Sequence, residues 1–137
     1  MSHIDSLLND WYRFRETLSS VPDIREEVAR YFLSKPRVKV YTDPYSRETW
    51  PTPWELITEN IYCPFNIILG ICYTLQLTDF CKNTTPEIHI SIDINSKSVY
   101  YILVVDNFVF LDDEWIPLES LPTSLKTQKI FVMDTLH

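Results

Sequence analysis

A single glycine in 137 residues is the most informative scarcity in this chain. At average usage of about 7%, roughly ten would be expected. Without them there is no glycine-rich phosphate loop, dinucleotide fingerprint or nucleophile elbow, which excludes the common nucleotide-dependent enzymes. Basic residues are also few: 12 Lys and Arg stand against 19 Asp and Glu, for a net charge of −7. No basic stripe runs along the chain, so nucleic acid is not an expected partner. The longest apolar segment, residues 65–77, contains Asn66, Thr74 and Gln76 and is too short to span a bilayer, so no membrane partner is expected either. The stretch MSHIDSLLNDWYRF lacks the basic start and apolar centre of a signal peptide, and none is expected.

Cysteine is scarce and oddly placed. Cys63, Cys72 and Cys81 recur at nine-residue intervals, which is neither a metal-ligand pattern nor a disulfide framework. On one helix Cys63 and Cys72 would lie about 13 Å apart, too far to bridge. A reducing compartment follows. No His, Asp or Glu cluster has metal spacing, and no cofactor is expected.

What is present is enough to build a core: 45% of residues are apolar and 14% aromatic. The length fits one domain over residues 1–137, with no linker, repeat or low-complexity tract. Residues 4–18 carry Ile4, Leu7, Leu8, Trp11, Phe14 and Leu18 at helical spacing, and DIREEVARYFLSK (23–35) repeats the pattern with acidic residues in its first turn. Arg37–Thr42 alternates, with Val38 and Val40 on one face, and predicts a short edge strand. A proline-punctuated approach, DPYSRETWPTPWELI, then holds Trp50 and Trp54 on a stiff path.

The centre of the chain is FNIILGICYTLQL, an apolar helix that Pro64 opens. Proline suits the first helical position because its missing N–H would have no partner there. Cys63 therefore falls at the N-cap, where free N–H groups and the helix dipole favour a thiolate. CKNTTP (81–86) reads as a loop. IHISIDI (88–94) alternates, pointing Ile88, Ile90, Ile92 and Ile94 inward and His89, Ser91 and Asp93 outward. VYYILVV (99–105) and FVFLDDEW (108–115) follow as two further strands, joined at Asp106-Asn107. The tail holds a short helix candidate and an apolar run, Ile130–Met133, able to add a strand. The expected fold is α+β: N-terminal helices and a central buried helix packed on an antiparallel meander.

The order of helices, a cysteine at a helix N-terminus, and an antiparallel sheet whose first strand carries a histidine resembles the papain-like and transglutaminase-like cysteine fold over residues 50–115. The resemblance implies Cys63 as nucleophile, His89 as general base and an aspartate to orient it. If Ile94 pairs with Val99, His89 lies opposite Val104 and Asp106 is its diagonal neighbour; Asp112 would sit about 10 Å away along the sheet. Asp106 is thus the better third member, although a turn aspartate before Asn107 reads equally well as turn chemistry alone. Trp50 and Trp54 read first as cover for the core, and alternatively as pocket walls over Cys63 with an indole N–H for an oxyanion. The setting of the cysteine departs from that family's Gly-Asp-Cys or Gly-Gln-Cys-Trp: here it is Ile61-Tyr62-Cys63-Pro64, and Ile57 stands where an oxyanion-hole glutamine would.

The stretch TDPYSRETWPTPWELITENIYCPFNIILGICYTLQLTDF resembles small proteins of large tailed phages, some carried in the virion. That resemblance implies an acidic, aromatic-rich adaptor docked on other phage or virion proteins, in the virion or the host cytoplasm. The leading expectation is a catalytically silent interaction protein. The alternatives are a thiol-dependent amidase, peptidase or acyltransferase acting through a thioester, and a phage effector that binds a host protein without chemistry.

Overall fold

The computed structural model describes residues 3–39 and 41–135. Its class is α+β, as expected: four helices and a five-stranded antiparallel sheet. The helices are α1 (His3–Thr17), α2 (Ile24–Leu33), α3 (Pro53–Glu59) and α4 (Pro64–Gln76). The strands are β1 (Glu87–Asp93), β2 (Val99–Val105), β3 (Phe108–Leu111), β4 (Glu114–Pro117) and β5 (Leu125–Val132), in the spatial order β4-β3-β2-β1-β5.

Local chemistry sets the helix ends. Asp23 caps α2 through bonds from the Arg25 and Glu26 amides. Thr52 and Glu55 form a capping box at α3, with Pro53 just inside it. Pro64 opens α4, and every residue from Phe65 to Leu75 is buried. A helix apolar on all sides is a core helix, and the others wrap it. Trp11 of α1 donates its indole N–H to Thr74 of α4 at 3.1 Å, and the Tyr73 hydroxyl donates to the Pro51 carbonyl at 2.9 Å. Phe32 of α2 lies against Gly70. On the sheet side Ile88, Ile90, Leu103, Val105 and Phe131 close the same core.

The other face of the sheet carries a smaller cluster of Ile102, Val109 and Leu111. The connection from β4 to β5 lays Leu121 against this cluster, and Ser91 of β1 is itself only 2% exposed. The outward residues of β1 therefore do not simply meet solvent.

Several expectations change. The strand over Arg37–Thr42 is absent among the described residues: Arg37 makes one isolated parallel bridge to Tyr62, with the Val38 amide donating to the Tyr62 carbonyl at 3.1 Å, while Val40 lies outside the described residues. FVFLDDEW is not one strand but a hairpin, because Asp112 and Asp113 turn the chain with φ of 53° and 67°. The tail strand is longer than the apolar run and pairs with β1. The short helix candidate before it shrinks to a 3₁₀ turn, Leu118–Ser120. Ile92, not Ile94, pairs with Val99, and Ile94 is exposed. The cause is the turn: the Asp93 carboxylate accepts from the Asn95 and Ser96 amides and lengthens the connection.

The scarcity of glycine leaves its mark on these turns. The positive-φ positions among the described residues are held by Asn60, Lys97, Asp106, Asp112 and Asp113. Asn and Asp tolerate this region; lysine does so only at a cost. Lys97, at φ 66° on an exposed turn, should therefore gain about 1 kcal/mol of stability as Lys97→Gly. Urea denaturation checks it, and a loss of stability would contradict the backbone assignment.

Candidate functional site

Cys63 is the natural centre of any thiol site, and the structure does place it at the N-cap of α4. Its backbone is extended, and its carbonyl accepts the Ile67 amide at 3.1 Å, the first bond of the helix. Its side chain makes no capping bond and is wholly buried, within the cluster that holds Tyr62, Phe65 and Ile67. Tyr101 lies close by: burial first, then the charges of Cys63, Tyr45 and Asp43, raise its phenol above the usual range. A cleft of about 410 Å³ opens beside the start of α4, lined by Arg37, Pro64, Ile67, Tyr101, Asp112 and Asp113 among others. Neither Cys63 nor His89 lines it.

His89 is not brought to Cys63. Its neighbours in β1, Ile88 and Ile90, are fully buried in the core that α4 fills, and side chains alternate along a strand. His89 therefore projects from the opposite face, with the sheet between its ring and the sulfur. It pairs across the sheet with Ile102 instead of Val104, and its Nε2 lies 2.8 Å from the Glu87 carboxylate. Asp106 follows the end of β2 at a turn with φ 57°, exposed, and is no diagonal neighbour of His89 in the observed register. Asp112 sits in the β3–β4 turn. The triad of Cys63, His89 and Asp106 expected from the sequence is thus not assembled.

The two tryptophans divide. Trp50 is core cover, packed on Phe65 and Phe131, and its indole N–H donates to the Asp43 carbonyl at 3.2 Å, so it does not face an oxyanion at Cys63. Trp54 is half exposed on α3 and meets the edge of Trp11 at 5.4 Å; neither its position nor its partner makes it a pocket wall over Cys63.

The remaining thiols are no better placed for nucleophilic work. Cys72 is buried within α4, and burial pushes its thiol far above the usual range, with a smaller upward push from Cys81 and an opposing pull from Arg47. Cys81 ends the 3₁₀ turn after α4, and partial burial pushes it up to about 11. Among the described residues no three His, Cys, Asp or Glu side chains converge as a metal site, and no helix is long and apolar enough to cross a membrane.

Comparison by sequence finds no protein-family model that matches this chain and no match among curated proteins.

What the sequence reading missed is the edge of the sheet. Lys126, Thr127, Gln128, Lys129 and Ile130 are all exposed on β5, which no further strand among the described residues borders. The signal was available: LKTQKIFV is rich in β-branched and aromatic residues and contains no acid, in a chain of net charge −7.

Proposed function

We propose that this chain is a catalytically silent interaction protein, an adaptor of the kind large tailed phages carry in their particles, working in the virion or the host cytoplasm against other phage proteins. Its scaffold resembles the transglutaminase-like order of helices, cysteine and antiparallel sheet without that family's catalytic geometry. The observation that supports the reading is the burial of Cys63 with His89 on the far face of the sheet. A thiol enzyme needs its nucleophile, its base and the substrate carbonyl within hydrogen-bond reach of one another. The surface offers contact groups instead: Trp54, Tyr12, Tyr41 and Tyr45 are each at least half exposed, and aromatic residues carry much of the energy of protein interfaces.

Two measurements test this together. Iodoacetamide at neutral pH should modify Cys81 first, with Cys63 and Cys72 following only as the chain opens. Peptides of this chain should also be present in purified particles of the encoding phage. Preferential labelling of Cys63 in the folded protein would restore the thiol enzyme, and absence from the particles would remove the adaptor.

A further inference from the structure

The two edges of the sheet are built differently. On one side β4 is four residues long, ends in Pro117, which has no N–H to offer, and is tied to α2 by the Trp115 indole donating to the Arg25 carbonyl at 2.9 Å. Short length, proline and a covering element close an edge to any added strand, whereas the lysines and the bulge that β5 carries instead guard an edge chiefly against pairing with its own kind. On the other side β5 runs for eight residues, and no strand among the described residues pairs with its far edge. Among the described residues, Arg47 donates to the Val132 carbonyl at 3.2 Å at the C-terminal end of β5, and the Gln128 side chain donates to the Lys126 carbonyl at 3.2 Å.

The register of β5 sorts its side chains. Ile130 lies opposite His89 and Val132 opposite Glu87, so both project on the outer face, where they are 47% and 44% exposed. Lys129 lies opposite Ile90 and Lys126 opposite Ile92, so both project on the α4 side. Positions three apart on a regular strand point to opposite faces. Here a register shift between Ile90 and Ser91 leaves Gln128 as the additional residue on β5, and that bulge brings the two lysines to the same face. Neither lysine has a carboxylate partner among the described residues; Lys129 rests over the Phe131 ring at 5.4 Å.

We propose that β5 is a docking edge for an extended acidic segment of a partner protein, which adds to the sheet as a sixth strand over Leu125–Ile130. The partner's carboxylates would lie on the α4 side beside Lys126 and Lys129. Its apolar, β-branched side chains would lie on the outer side beside Ile130, where Glu87 and Asp93 disfavour further acid. A second copy of this chain is disfavoured, because β5 against β5 sets lysine against lysine. This rests on the adaptor reading and gives it a surface and a partner chemistry.

The test is fluorescence anisotropy on the full chain with labelled ten-residue peptides in which Glu alternates with Val, compared with the same peptides carrying Lys for Glu. Two favourable cross-strand charge pairs should make the acidic peptide bind about tenfold more tightly, and added salt should erode the difference. Methylating alternate backbone amides of the peptide should abolish binding, since main-chain hydrogen bonds supply the affinity. K126E/K129E, both changes at exposed positions, should reverse the preference, with circular dichroism confirming the fold. Equal binding of the two peptides, indifference to amide methylation, or a dimer that protects the β5 amides from hydrogen exchange would each overturn the proposal. Loss of the peptide result with the chain still present in particles removes the docking edge alone; peptide binding by a chain absent from particles removes the adaptor reading alone.

Discussion

Trp11→Ala should cost about 3–5 kcal/mol, a large part of the about 5–15 kcal/mol that holds a domain of this kind together. Trp11 is 1% exposed and is the one buried residue of α1. The helix is otherwise attached by half-buried contacts, among them Phe14 stacked on Tyr31 at 4.0 Å and the Tyr31 hydroxyl donating to Asp10 at 2.7 Å. Removing the indole leaves a cavity and frees α1 to detach, so amide exchange in α1 should accelerate before the rest of the chain responds. The hydrogen bond to Thr74 can be separated from the packing. Thr74→Val strands a buried indole N–H and should cost about 1–3 kcal/mol, whereas Trp11→Phe combined with Thr74→Val removes both partners of the bond. In that double variant the Thr74 change should add little to the cost of Trp11→Phe. Equal Thr74→Val effects in the two backgrounds, read by urea denaturation, would show that the bond contributes nothing.

How far the sequence reveals this fold depends on whether a feature is local. The start of α4 at Pro64, its burial on every side and the antiparallel class follow from residues close in the chain. The pairing of strands does not. Alternation in IHISIDI shows which side chains share a face, yet says nothing about which strand lies alongside, so the placement of β5 next to β1 is invisible to it. The register error has the same origin: an Asp93 turn two residues longer than the expected one moves His89 from Val104 to Ile102, while parity, and therefore face, is unchanged. The hairpin at Asp112-Asp113 escapes because the turn has no glycine to announce it.

The candidate site was more legible than the resemblance allowed. Ile88, Ile90 and Ile92 point inward, and α4 has to pack on the inward face. Together these statements already separate Cys63 from an outward His89. The resemblance in element order set Cys63 beside His89; the periodicity of β1 set them apart, and over Ile88, His89 and Ile90 the structure follows the periodicity, although it fails at Ile94, which is exposed. The lone glycine is the converse case, a residue whose role no local pattern discloses. Gly70 sits in the middle of a helix with φ in no unusual region, and only the approach of α2 explains it.

That approach gives a prediction in which the sign of an effect reverses. A Cβ on Gly70 would stand 2.5 Å from Cε1 and 2.6 Å from Cδ1 of Phe32. Phe32 is fully buried and edged by Tyr31 at 5.1 Å and Tyr62 at 5.8 Å, so its ring has little room to withdraw. Overpacking of this kind costs about 1–3 kcal/mol, against a helix-propensity gain of about 1 kcal/mol for Gly→Ala. Gly70→Ala should therefore destabilise the native chain. Phe32→Ala should cost more, about 3–5 kcal/mol, through the cavity it leaves between α2 and α4. Once Phe32 is gone the obstacle to a methyl group at position 70 goes with it. In the Phe32→Ala background, Gly70→Ala should become stabilising by about 1 kcal/mol, since only the propensity gain and some refilling of the cavity remain. The four chains of this cycle, compared by urea denaturation at one pH, decide the matter. If Gly70→Ala is equally costly with and without the Phe32 ring, then the contact between these two residues is not what keeps a glycine in α4.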